Sequence, residues 1–223
     1  MQQLIWIICA GAGIWSGVCL GQSYEGLKNR ITLRQQDFAL AWANADTDQQ
    51  ERLTDSAYRY LTAVLCDSIW PAWYGTPWNF NGITQTPRRG QIACGYFVTT
   101  TLRDAGLRLP RVVYAQMPSE TMIRRLCSAV WRCRTGAPHA VQWMLTQPDG
   151  IYLVGLDYHT GFVRKTGNRL VLVHASYYHP AIGVMAESLT GTRNPFGDSR
   201  YHVISYLLHR ELVQGWITGR VWK

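Results

Sequence analysis

Charge is scarce in this chain. Asp, Glu, Lys and Arg make up 16% of its 223 residues, against about 25% in an ordinary soluble domain. Hydrophobic residues reach 47% and Trp, Tyr and Phe together 12%. Disorder needs the opposite balance, many charges and few aromatics, and is excluded. A fixed-period repeat and a low-complexity tract are both lacking, which excludes a repeat array. No C-x-x-C pair occurs, and no two His stand at i, i+4 on an evident helix, so no metal or cofactor is expected. Acidic residues are few, 14 against 22 basic, for a net charge of +8. That balance predicts attraction to a polyanion. Nucleic acid is not the expected one, because no recognition motif accompanies the charge.

Residues 1–22 also lack charge entirely. The run is the length of a secretory leader and ends in small residues near Gly21, although no Lys or Arg forms a basic start. An N-terminal membrane anchor is the rival reading, since about 20 apolar residues span a bilayer. Either one predicts a periplasmic or secreted location. Residues 23–223 contain no linker that would divide them and read as one domain.

Of the six cysteines, Cys9 and Cys19 lie in this leader, leaving Cys66, Cys94, Cys127 and Cys133. In an oxidising compartment an even number suggests two disulfides. One disulfide with a reactive and a buried thiol fits equally well.

Apolar periodicity predicts helices over about 27–43 and 48–69, the second stopped by Pro71. A loop rich in Gly, Pro, Thr and Asn follows to Ala93. A third helix is predicted from Cys94 to Gly106 and a fourth from Ser119 to about Trp131. A short strand is expected at 111–115. From residue 151 the pattern turns β-rich, with strands at 151–157, 158–165, 169–176 and 200–208, and a turn at Gly167-Asn168. Helices followed by antiparallel strands is an α+β pattern.

Cys94 is the strongest candidate for chemistry. A flexible loop runs into a helix there, and the thiol stands at the junction. Free N–H groups and the positive end of the helix dipole favour a thiolate, and the same N–H groups are placed to hold an oxyanion. His159 and His174 lie on two strands flanking the 167–168 turn, so a hairpin brings them together. A thiol needs a base and the base needs an orienting group; the three residues fill those roles in order. Asp157, two residues before His159, shares its face on a regular strand and is a candidate to support the base or bind an amine. Arg88 precedes the nucleophile loop and is placed to hold a substrate carboxylate. Trp70, Trp73, Tyr74, Trp78 and Phe80 either line a groove or pack the loop onto the core.

These residues resemble the NlpC-like cysteine peptidases, the papain-like cell-wall hydrolases of bacteria. Gly75-Thr76-Pro77-Trp78 and Asn81-Gly82 match the stretch before the nucleophile. Ala93-Cys94-Gly95-Tyr96-Phe97-Val98 and Leu102-Arg103-Asp104-Ala105-Gly106-Leu107 match the nucleophile helix. His159-Thr160-Gly161-Phe162-Val163, Gly167-Asn168 and His174-Ala175 match the strands. The resemblance runs over roughly residues 70–176. It implies a papain-like fold, with N-terminal helices and the nucleophile at a helix N-terminus packed on an antiparallel sheet. It also implies Cys94 as nucleophile, His159 as general base and His174 as its orienter. Three departures are plain. Ala93 stands where the family has Asp, Gly95-Tyr96 where it has Ser-Gly, and Trp78 where it has a Tyr near the oxyanion site. An indole N–H donates but neither accepts nor ionises as a phenol does, which leaves Tyr74 as an alternative.

The expectation is therefore an exported cysteine hydrolase that cleaves an amide in peptidoglycan stem peptides through a thioester. Two alternatives stand beside it, a hydrolase or transferase of lipid or other acyl groups on the same fold, and a non-catalytic binding module.

Overall fold

The computed structural model describes residues 23–191 and 193–223; the leader assigned to residues 1–22 lies outside them. The chain opens with α1 (Tyr24–Ala43), capped by the Ser23 hydroxyl, and α2 (Thr47–Ala63), which starts in a capping box between Asp46 and Gln49. A π-helical segment, Val64–Ile69, then carries the chain without a break into α3 (Trp70–Trp73). Pro71 does not stop the helix as the sequence predicted. It falls in the first turn after the π segment, where a missing N–H is tolerated. The extension buries Trp70 and Trp73 completely.

After the long loop come α4 (Cys94–Asp104), α5 (Arg111–Ala115) and α6 (Ser119–Leu126). The strand expected at 111–115 is thus a helix. Its spacing turns Arg111 and Tyr114 inward while Val112 and Val113 stay exposed, so tertiary burial overrides the β preference of the valines. The fourth helix ends five residues earlier than predicted, because Trp131–Cys133 forms strand β1. There follow α7 (Ala137–Thr146), β2 (Gly150–Leu156), β3 (Thr160–Thr166), β4 (Arg169–Ala175), β5 (Val184–Ser188), α8 (Pro195–Asp198), β6 (His202–Tyr206) and α9 (Arg210–Ile217).

The six strands form one antiparallel sheet in the order β1-β6-β2-β3-β4-β5. The architecture is mixed α+β, as the sequence predicted. Strand β2 explains why its sequence is apolar throughout: Ile151 and Leu153 enter the larger core, under the helices, while Tyr152 and Val154 enter a second core on the opposite face. A strand buried on both sides loses the alternation of a half-exposed one. Helix α4 packs on β3 and β4, with Phe97 edge-on to both Trp73 and Phe162. This contact brings the N-terminus of α4, with Cys94, to the hairpin that holds His159 and His174.

The cysteines depart from expectation. Cys66, Cys94, Cys127 and Cys133 are all free, and three of them are buried in the core. The two-disulfide and one-disulfide readings both fall. Among the described residues no helix is long and apolar enough to cross a membrane.

Candidate active site

The loop before α4 is held by backbone pairing. Gly75 N–H donates to Val184 O, Val184 N–H to Thr76 O, and Trp78 N–H to Pro180 O; further along, Ile92 N–H donates to Pro77 O and Ala93 N–H to Gly82 O. Gly183 makes this docking possible. Its φ is +65°, and a β-carbon there would stand 1.9 Å from Thr76 O. The result seats Trp78 against Tyr177, with ring centroids 6.0 Å apart, and leads the chain into Cys94.

Ala93, the N-cap of α4, offers no side-chain cap. The first N–H groups of the helix are therefore left for other partners. The backbone N–H groups of Thr160, Gly95 and Cys94 itself favour the charged form of the Cys94 sulfur. Burial nonetheless pushes the thiol above its ordinary range, against the pull of these donors. At this thiol desolvation therefore opposes the pull of the helix terminus. Gly95 allows the close packing, since a β-carbon there would meet Ala115 O at 2.4 Å.

His159 directly precedes β3, and the backbone of its neighbour Thr160 favours the charged form of the sulfur. Its Nε2 lies 2.7 Å from His174 Nδ1, and His174 Nε2 lies 2.7 Å from Glu187 Oε1. Both imidazoles are buried. The direction of these bonds follows from their last member. A carboxylate only accepts, so His174 donates from Nε2 and, when neutral, accepts at Nδ1. His159 must then donate from Nε2, which leaves a lone pair on its Nδ1. That atom is buried and has no partner among the described residues. Burial, reinforced by the neighbouring His174, holds the His159 pKa well below the usual imidazole range. The resting pair is a neutral thiol and a neutral imidazole, with a basic nitrogen free to take a proton and no hydrogen bond yet between them.

Cys94 sits between two cavities. The larger, about 640 Å³, is bounded by Trp78, Phe80, Asn81, Ile83, Ala93, Tyr96, Ala115, Gln116, Tyr158 and Tyr177. The smaller, about 170 Å³, lies toward Met117, Ser119, Met122 and Asp157. Both include Cys94 and His159 in their walls. Four buried side-chain polar atoms among the described residues lack a partner, and two of them, Trp78 Nε1 and His159 Nδ1, belong to residues that line the larger cavity. An unpaired buried donor is costly unless something else engages it, so the Trp78 indole is a candidate oxyanion donor.

The other sequence candidates resolve differently. Asp157 makes no hydrogen bond to His159. Its carboxylate accepts Arg200 N–H and Tyr201 N–H and ties down the approach to β6. Arg88 bounds neither cavity; its guanidinium donates to Tyr74 O and Pro71 O, and its N–H to Thr76 Oγ1. Tyr74 also lies outside both cavities, packed near Cys66. The aromatic cluster divides: Trp70 and Trp73 are core, while Trp78 and Phe80 line the cleft. Glu187 escaped the sequence reading because β5 did. Its signal was the acid in VMAES, on a strand that pairs with the one carrying His174. Among the described residues no cluster of three or more His, Cys, Asp or Glu is arranged to hold a metal ion.

No family model, no curated protein and no solved structure matches this chain.

Proposed function

We propose that the protein is a cysteine hydrolase of papain-like arrangement that cleaves an amide, in peptidoglycan stem peptides, through a thioester. The observation that carries this reading is the His159–His174–Glu187 hydrogen-bonded array, whose direction leaves His159 Nδ1 without a partner in a residue that lines the same cavity as Cys94. In the proposed reaction Cys94 Sγ–H passes its proton to His159 Nδ1 as sulfur attacks the carbonyl carbon. The imidazolium that forms is stabilised through His174 by the Glu187 carboxylate. Trp78 Nε1–H and the N–H groups at the start of α4 receive the oxyanion. His159 then returns the proton to the departing amine. Water, deprotonated by the same nitrogen, hydrolyses the thioester and restores the thiol.

Net charge of +8 suits an anionic wall, and a leader or anchor in residues 1–22 would deliver the domain to it. The same chemistry on a lipid or other acyl group is the second reading, favoured by the aromatic lining of the larger cavity.

The test is incubation of the purified protein with peptidoglycan fragments beside Cys94→Ala, with products followed by mass spectrometry. Cleavage by the native chain alone is expected, and the product mass names the bond. An intact substrate with a readily alkylated Cys94 moves the reading to another acyl group. An intact substrate with an inert Cys94 leaves a binding module.

A further inference from the structure

The larger cavity is unusual in what its wall omits. Trp78, Phe80, Asn81, Ile83, Tyr96, Gln116, Tyr158 and Tyr177 supply its side chains beyond small residues and the nucleophile and base. None is Asp, Glu, Lys or Arg, although the chain carries 36 such residues. Arg111 stacks on Tyr96 at 4.7 Å, but its guanidinium is turned to Thr100 Oγ1, Ile83 O and Thr84 O. Arg88, on the same loop, is bound to backbone carbonyls. The rim is apolar and open: Phe80 is 79% exposed, Ile83 60% and Tyr158 91%. Exposed apolar side chains gathered around a concave site mark a binding surface.

The cavity also holds the Trp78 indole. An oxyanion belongs to the acyl half of the substrate, so the cavity that supplies its donor is the one that receives the acyl group. A carboxylate or ammonium brought against this wall would give up part of its hydration and find no charged side chain in exchange, which is unfavourable. We infer that the acyl group recognised beside Cys94 is uncharged and apolar. This rests on the hydrolase reading and sharpens it. Within a stem peptide it selects a carbonyl from an alanyl-type residue over one from a glutamyl residue bearing its own free carboxylate. Ile83 is the residue best placed to set this preference, being exposed on the rim and bound to its neighbours through its backbone.

The test is a set of N-acetyl aminoacyl chloromethyl ketones of phenylalanine, leucine, glutamate and lysine, with 2-chloroacetamide as the reference for intrinsic thiol reactivity. In each case sulfur displaces chloride, and labelling of Cys94 in the full chain is followed by peptide mass spectrometry. The phenylalanyl and leucyl reagents are expected to outpace the glutamyl and lysyl ones by about tenfold or more after correction to the reference. Ile83→Glu is expected to raise the lysyl rate and close that gap, while Ile83→Gln leaves it in place. Glutamyl or lysyl labelling as fast as leucyl would overturn the inference while leaving the hydrolase reading standing. A Cys94 that neither the ketones nor chloroacetamide labels would bring down the hydrolase reading itself, and the inference with it.

Discussion

The two sides of the site are built by different means. On the strand side His174 and Glu187 are placed by the antiparallel ladder of β4 with β5, and His159 stands directly before β3, which pairs with β4. On the thiol side Trp78 lies in a loop pinned through single backbone hydrogen bonds and docked over the left-handed Gly183, and Cys94 opens the helix into which that loop leads. Register is specified by every inward side chain of a strand at once. A pinned loop is specified by a few contacts, each able to fail alone. The strand side is therefore expected to tolerate substitution by losing rate, and the loop side by losing structure.

The largest expected effects sit at the meeting point. Cys94→Ala and His159→Ala should each lower kcat/KM by about a thousandfold or more with the fold retained, as read by circular dichroism and steady-state assay. Equal activity in His159→Ala and the native chain would remove His159 as base. Next is Gly183→Ala. A β-carbon 1.9 Å from Thr76 O forces the loop away from β5, with a loss of about 3 kcal/mol or more in chemical denaturation. The same substitution at Gly167, where a β-carbon meets nothing within 4 Å although φ is +55°, should cost about 1 kcal/mol. Similar losses at both would break the contrast between pinned loop and free turn.

Glu187 sharpens the strand side. Glu187→Gln keeps an acceptor for His174 Nε2–H but removes the charge that balances the imidazolium, and kcat/KM should fall about 10- to 100-fold with KM little changed. Glu187→Leu removes the acceptor, frees both imidazoles to exchange tautomers, and should cost more. Nitrogen NMR of the imidazoles reads the difference: protonated Nε2 on both rings in the native chain and in Glu187→Gln, mixed tautomers in Glu187→Leu. Native tautomers in the leucine variant would show that Glu187 does not set them.

Buried His159 also carries a pH signature. The His159 pKa is depressed in the folded state, chiefly by burial and then by His174. Below the ordinary value of 6.5 the unfolded chain takes up a proton that the folded chain refuses. Its stabilising contribution is therefore whole above 6.5 and lost as pH falls from there toward the depressed value, at up to about 1.4 kcal/mol per pH unit. His202, also buried with a lowered pKa, adds a similar loss, so the informative quantity is the native chain minus His159→Asn. That difference should shrink steadily below pH 6.5 in urea titrations. A difference independent of pH would mean that His159 is not held neutral.

Legibility in the sequence divides along the same line. The hairpin carrying His159 and His174 was readable because both strands are runs of β-branched and aromatic residues around a glycine turn. Helix α4 and its junction at Cys94 were readable from the change of composition at residue 93. The α5 helix was not, because Val112 and Val113 read locally as strand while the contacts of Arg111 and Tyr114 decide the matter. Strand β5 was not, because VMAES is short and sits at the sheet edge with alternate residues exposed. The thiol's raised pKa was also hidden: the helix terminus shows in the sequence, whereas the depth of burial depends on chain segments far from Cys94.

The smallest expected effect separates two carboxylates that sequence alone cannot rank. Asp157 is two residues from His159, and proximity along the chain nominates it as the partner of the base. Glu187 is 28 residues away from it by number and is joined to it through His174. Asp157 is instead exposed and bound to two backbone N–H groups before β6. Asp157→Ala should therefore lower stability by about 1 kcal/mol or less, since exposed charge-assisted bonds contribute little. It should leave the acid limb of kcat/KM where it was, because no proton on the relay is touched. Glu187→Gln should move that limb to lower pH, the imidazolium having lost its countercharge. Should Asp157→Ala shift the limb and Glu187→Gln not, the relay would run through the nearer acid, and sheet register would not be what positions the base.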